Sequence, residues 1–403
     1  MGFMLPIPTD TGARLAAILP SVLESLALGN GQQPEGAAAL PVVDGAPMPP
    51  AARSAVLIAV DGLGWANFRA RRGHARTLNA MEKQRIETVA PSTTAAALTA
   101  LTTGRLPGEH GLIGYRIRHP ERGLVTTLSE WEDIGDPALW QRATPLFTRA
   151  ADLGLKAYSI GRPQHSDSGL TASILAGAEY IGGATIEDRF GTATRLVRGP
   201  EPVLAYLYVD ELDRAGHHSG WESDAWTKRL EQFDAALGTF LAGLPQDVGV
   251  VLTADHGMVD VPEHRRLLID QMPGLLDGVE LVGGEPRLRS LYLQDPSQAD
   301  AVAARWEAAE GGRAWIATRV EAVASGWFGP VDPVVAQRPG DGIVPARGAV
   351  AYYQSTDDEQ ALAMVGQHGS FTDDERGIPL AVAGTFAGGG FIARVQAARS
   401  TTA

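Results

Sequence analysis

Apolar residues are distributed along this chain in two alternating patterns. Short apolar-rich runs at 55–60, 156–160, 203–209, 248–253 and 379–383 read as strands buried on both faces. Stretches with helical spacing lie between them. One is 144–153, led by Thr144-Pro145, and another is 222–243, with Trp226, Leu230, Phe233, Leu237, Phe240 and Leu241 at its apolar positions. Buried strands alternating with helices predict an α/β fold, a mostly parallel sheet sandwiched by helices.

Two regions depart from that pattern. Over 10–28, Leu15, Ile18, Leu19, Val22, Leu23 and Leu26 recur at helical spacing with Pro20 among them, which predicts a short helix pair; 30–52 is rich in Gly, Ala and Pro and reads as an extended surface segment. Over 258–364, residues 287–293 alternate like a half-exposed strand, 298–309 reads as a helix, and 314–317 and 349–353 read as short strands. The expected organisation is an N-terminal helical segment and linker (1–52), a catalytic core (53–257 and 365–398) and a smaller inserted α/β subdomain (258–364).

Composition narrows the chemistry. The 403 residues are 44% hydrophobic and 20% charged, as in a globular protein with a large core. A net charge of -13 argues against holding nucleic acid by general surface charge, while leaving room for a nucleotide in a local site. There is no cysteine, which excludes disulfides, thiolate metal sites and cysteine nucleophiles. No leader-like segment and no apolar run near the roughly 20 residues of a membrane span stands out, so the expected location is cytoplasmic and no membrane partner is expected.

Three apolar runs end on acids. The first stops at Asp61-Gly62, the third leads to Asp210-Glu211-Leu212-Asp213, and the fourth to Asp255-His256-Gly257. Ligands of open α/β sheets gather at the carboxyl ends of strands, so these acids share one crevice. Asp213 and His217 are one helical turn apart and can face one ion. Pro91-Ser92-Thr93-Thr94 opens a small-residue helix with a hydroxyl at its start, and His368 lies in a glycine-flanked loop before the last strand. Singly, each has an ordinary explanation: an Asp after a strand caps a helix, an Asp–His pair stabilises one, a lone His is solvated. Together they point to a metal held by Asp and His ligands, with a threonine hydroxyl beside it.

These segments resemble the alkaline phosphatase superfamily, in particular its nucleotide pyrophosphatase/phosphodiesterase-like branch. The likeness rests on Val60-Asp61-Gly62, on Pro91 to Thr94, on Thr103-Gly104 followed by Pro107-Gly108-Glu109-His110-Gly111, on Asp213 to His217, on Asp255-His256-Gly257-Met258 and on His368-Gly369. It implies two Zn2+ ions, with Mn or Fe as alternatives for such ligands. One would be held by Asp213, His217 and His368, the other by Asp61, Asp255, His256 and the oxygen of Thr94. It also implies a phosphohydrolase acting through phospho-Thr94, a phosphodiesterase or nucleotide pyrophosphatase on a small phosphate ester or nucleotide. Thr93 is the rival nucleophile. Tyr115 stands where the family's diesterases carry an asparagine that bonds the phosphate, and its hydroxyl could take over that role. A phosphomonoesterase or phosphonate hydrolase on the same scaffold, and a non-catalytic zinc-binding protein, are the alternatives. His110 is expected to be structural, His218 solvated or behind a ligand, and His74, His119 and His264 superficial. Asp210 and Glu211 are candidates to orient ligands. Oligomeric state is left open.

Overall fold

The computed structural model describes residues 4–8, 10–32, 45–132 and 134–398. Most of the stretch expected to be an extended linker lies outside them. At the centre is a seven-stranded sheet of β1 (Ser54–Val60), β2 (Glu82–Glu87), β3 (Lys156–Gly161), β4 (Glu179–Gly182), β5 (Val203–Val209), β6 (Val248–Thr253) and β7 (Gly377–Gly384). Their spatial order is β2-β7-β6-β1-β5-β3-β4. β1 pairs in parallel with both β5 and β6, and β3 in parallel with β5 and β4. β7 runs antiparallel to β6 and to β2. The sheet is therefore mixed, with one reversed strand.

All seven residues of β1 and all six of β6 are buried, as expected for strands covered on both faces. β2 and β4 were not anticipated. In β2 only Ile86 is fully buried, and an edge strand with one apolar side chain in the core carries little hydrophobic periodicity.

Helices cover both faces. α1 (Ile18–Gly29) is buried along nearly its whole length, and its Glu24 pairs with Arg394 at 2.6 and 2.7 Å. Pro20 lies in the first turn of α1, where its missing N–H costs nothing. A single turn, Ala13–Ala16, precedes α1, so the expected helix pair is one short turn and one true helix. α2 (Thr94–Thr103), α3 (Ile186–Val197), α4 (Glu211–Ser219) and α5 (Asp224–Ala242) follow. The helix expected over 144–153 is instead two 3₁₀ turns, Leu146–Arg149 and Ala151–Leu153. Pro145 precedes the first turn and Gly154 ends the segment at φ 66°.

Beyond Met258 a second, four-stranded sheet is built from Val279–Glu285, Leu288–Leu293, Gly342–Pro345 and Ala317–Thr318. Leu288–Leu293 is buried at every position rather than half-exposed, because Ala299–Glu310 and the main body cover opposite faces. Trp306 and Tyr352 anchor an apolar cluster separate from the main core. Val259–Asp260 pairs with Gly366–Gln367 where the chain leaves and rejoins the main body. Among the described residues no helix is long and apolar enough to cross a membrane.

Candidate metal centre

β6, β1 and β5 are neighbours in the sheet, so the acids that follow them converge. Asp61 follows β1 directly, and its amide donates to Val209 O at 2.9 Å. Gly62 turns the chain at φ 70°, and a Cβ there would stand 3.0 Å from Asp213 Cα and 3.2 Å from its Oδ1. Only glycine lets Asp61 and α4 approach this closely. Asp213 and His217 lie one turn apart on α4, with His217 Nε2 3.3 Å from Asp213 Oδ1.

The three imidazoles share one hydrogen-bond pattern. Nδ1 of His217 lies 2.8 Å from Gly366 O, Nδ1 of His256 3.1 Å from Gly257 O, and Nδ1 of His368 2.8 Å from Ser92 O. A carbonyl only accepts, so each Nδ1 carries the proton and each Nε2 presents a lone pair. Those lone pairs face acids. His256 Nε2 is 3.3 Å from Asp61 Oδ1 and 3.5 Å from Asp255 Oδ2, and His368 Nε2 is 4.0 Å from Asp213 Oδ1. His256 and His368 stack with centroids 3.5 Å apart.

Asp61 and Asp255 each spend one oxygen on the protein. Asp61 Oδ2 accepts from the Tyr208 hydroxyl, and Asp255 Oδ1 accepts from the amides of Gly62 and His256 at 3.1 and 3.0 Å. The oxygens left without a hydrogen-bond partner are Asp61 Oδ1, Asp255 Oδ2 and Asp213 Oδ1, the same atoms that face the imidazoles. Buried lone pairs meeting buried carboxylate oxygens repel unless a cation lies between them. Burial, then the neighbouring Asp213 and Asp255, pushes the Asp61 carboxyl well above its ordinary range, against the Tyr208 hydrogen bond. Burial also raises Asp213, against His217 and His256. His368 is pushed well below its usual value by burial and by the other two imidazoles. The donor set thus fits divalent cations. Ligand atoms of Asp213, His217 and His368 lie within 4.8 Å of one another, and so do those of Asp61, Asp213 and His256. Asp213 takes part in both groupings.

Thr94 is the first residue of α2 and Thr93 its N-cap. Thr94 Oγ1 is 3.2 Å from His256 Nε2, inside the acid–imidazole cluster. The segment is clasped to the His368 loop: Ser92 N donates to Gly369 O at 3.1 Å, Ser92 Oγ to Ser370 O at 2.9 Å, and Gly369 N to Ser92 Oγ at 3.1 Å. A cavity of about 450 Å³ opens beside Thr94, lined by Tyr115, Leu98, Ile174, Tyr206 and Tyr208 among others.

The remaining candidates lie elsewhere. His110 is buried with Nδ1 accepting from Leu112 N at 3.2 Å, and burial lowers it to about 3, a structural role. His218 turns to Ser219, His74 to Glu231, His119 packs at a tilt against Trp140 and His264 is exposed. Asp210 is held by Arg162 and His165, both at 3.3 Å, and Glu211 by Arg189; neither orients a ligand imidazole. That task falls to backbone carbonyls, and Tyr208 holds Asp61. The sequence offered one unread hint of Tyr208: with Tyr206 it puts two aromatic hydroxyls on one face of β5, next to the acid-bearing tip.

Comparison with known proteins agrees with this geometry. Residues 55–371 match the family described as Type I phosphodiesterase / nucleotide pyrophosphatase. A 167-residue stretch, 39% of this chain, is 32% identical to ectonucleotide pyrophosphatase/phosphodiesterase family member 3 of Rattus norvegicus, and covers only 19% of that protein. Among solved structures, the fold is similar to murine ectonucleotide pyrophosphatase/phosphodiesterase 5, an inactive threonine-to-alanine variant in complex with AMP. That match has a TM-score of 0.63, 18% identity and covers 81% of this chain and 87% of that one. It is also similar to phosphonoacetate hydrolase from Sinorhizobium meliloti 1021 in complex with phosphonoformate, at a TM-score of 0.64 and 20% identity, covering 89% of this chain and 99% of that one. With its acids on adjacent strand tips, its threonine at a helix start and most of its length inside the match, the chain belongs to the type I phosphodiesterase/nucleotide pyrophosphatase family, within the alkaline phosphatase superfamily.

Proposed function

We propose that this protein is a two-metal phosphohydrolase, a phosphodiesterase or nucleotide pyrophosphatase, in which Thr94 attacks phosphorus. The observation that carries this reading is the placement of Thr94 Oγ1 3.2 Å from His256 Nε2, amid three unpartnered carboxylate oxygens. Asp213, His217 and His368 would hold one cation, and Asp61, Asp255, His256 and Thr94 the other, with Asp213 Oδ1 near both. Bound there, zinc or a similar ion supplies Lewis acidity to the phosphoryl oxygens, a lowered pKa for the Thr94 hydroxyl and stabilisation of the leaving oxygen.

The chain's own residues do the rest. Thr94 Oγ forms a bond to phosphorus as the bond to the leaving oxygen breaks in line. The Thr94 proton passes to water and the leaving oxygen takes one from water; a further water then cleaves the Thr94 phosphoester, its oxygen going to phosphorus and a proton returning to Thr94 Oγ. The first amides of α2, at the helix start beside Thr94, would donate to the phosphoryl oxygens. Leu98, Ile174 and the tyrosines keep bulk water from the organic part of the substrate, and a cavity of about 450 Å³ has the size of sites for small organic molecules.

A phosphonate hydrolase is the second reading. Tyr115, in place of the asparagine of the diesterases, lines the cavity, and the phosphonoacetate hydrolase that shares this fold is complexed with a phosphonate. One experiment separates these readings from a non-catalytic zinc protein: metal content, together with turnover of nitrophenyl monoesters and diesters, dinucleotides and phosphonates by the zinc-loaded protein. Diester turnover well above the others supports the first reading. Bound zinc with no turnover of any of them rejects both enzymatic readings.

A further inference from the structure

The cavity beside Thr94 carries a charge that the phosphoryl chemistry leaves unused. Among the described residues that line it, Arg214 is the one lysine or arginine. The residue is exposed, and its guanidinium makes no ion pair or hydrogen bond among the described residues. The acids around it in sequence are already engaged. Asp210 is held by Arg162 and His165, Glu211 by Arg189, and Asp213 belongs to the acid–imidazole cluster. One turn further along α4, His218 is bonded to Ser219 and supplies no counter-charge. Guanidinium groups are permanent cations in proteins, so this charge does not depend on the state of the metal centre.

The helix sets where that cation reaches. Asp213 and His217 share the face of α4 that meets the metal centre. Arg214 follows Asp213 by one residue, about 100° round the helix, so it flanks that face and does not share it. Its amide donates to Asp210 O at 3.2 Å, which fixes the backbone from which the side chain extends. Thr94 and the acid–imidazole cluster thus claim the phosphorus end of a bound molecule. Leu98, Ile174 and Leu175 line the cavity with apolar side chains, and Arg214 adds to the same lining a planar fork of donors that fits a carboxylate or a phosphate.

We propose that Arg214 is a specificity-determining residue that binds a second anionic group, a carboxylate or a phosphate, on the organic part of the substrate. The inference rests on the phosphohydrolase reading of the cavity and narrows it to phosphate or phosphonate esters charged at both ends. A substrate with a neutral organic part would fill the cavity and leave the guanidinium to water.

The test compares wild type, R214Q and R214K as full-length, zinc-loaded proteins, with metal content and thermal melting as controls. The substrates are three nitrophenyl phosphodiesters, alike except at the far end of the second alcohol, which bears a carboxylate, a phosphate or a neutral methyl ester. Wild type is expected to favour a charged ester over the methyl ester by about 10-fold in kcat/KM, the scale of a hydrogen bond to a charged group. Whichever charged ester gains more names the group. R214Q is expected to lose that preference while turning over the methyl ester as wild type does, and R214K to keep part of it. No preference in wild type overturns the proposal. So does a preference that survives in R214Q, or an equal fall of R214Q on all three esters with zinc content intact. Dissociation constants of the same esters for T94A, with and without R214Q, read the preference without turnover. Should wild type turn over no ester, the phosphohydrolase reading fails by itself, and those constants still decide on Arg214.

Discussion

Asp61 and Asp255 each have one oxygen engaged by the protein and one aimed at the His256 lone pair, and that division of labour can be tested atom by atom. Tyr208 holds Asp61 through Oδ2, so that Oδ1 faces His256. Y208F should keep the fold and weaken zinc binding by about 10-fold, the lower end of what orienting partners of metal ligands contribute; competition with a chromogenic chelator measures it. Asp61 offers a sharper contrast. Its carboxyl is raised well above the ordinary value in the folded, metal-free protein, so the folded state binds the proton more tightly than the unfolded one. Stability from this group is complete below the unfolded value of about 4 and is lost as pH rises toward the folded value. D61N removes that dependence and gives His256 Nε2 an amide donor. Metal-free D61N should therefore melt above metal-free wild type at neutral pH, with the gap widening as pH rises from about 4, while its catalysis collapses. Equal melting temperatures across that range would refute the buried-charge argument.

The elements that carry the site were legible to different degrees, for physical reasons. β1, β5 and β6 are buried on both faces, so their apolar runs stood out, and the acids at their tips came with them. β2 and β4 were not legible, because edge strands bury few side chains. The reversed direction of β7 follows from where the chain re-enters after the second sheet, which no local pattern encodes. The site divides the same way. Asp213 and His217 announce themselves by helical spacing, whereas Glu285 reaches the cavity only because another sheet packs there. Between elements, Gly62 sets the approach of β1 to α4. G62A forces a side chain into a left-handed conformation and against Asp213. It should cost about 1–2 kcal/mol of stability from the backbone alone, read by urea unfolding, and should reduce zinc affinity as Asp61 and Asp213 move apart.

Among the described residues, three buried, unpartnered carboxylate oxygens gather at the acid–imidazole cluster. Metal binding should therefore report on the global fold. Ligand that binds only the folded state stabilises it by mass action, about 4 kcal/mol at a thousandfold excess over Kd. Removing zinc with a chelator should lower the melting temperature by several degrees and restoring it should reverse the shift, with scanning calorimetry as the measurement. The sheets, the helices and the Ser92–Gly369 clasp then serve one purpose, which is to hold Thr94 against the acid–imidazole cluster. The claim that Thr94 is the nucleophile stands or falls on a covalent adduct. Acid quenching of the zinc-loaded protein during turnover of a phosphorus-labelled ester, followed by peptide mapping, reads it directly. The expected result is the phosphorus-bearing group on Thr94 in wild type and T93A, and no adduct in T94A. Label absent from Thr94 during full turnover, or turnover undiminished in T94A, would contradict it.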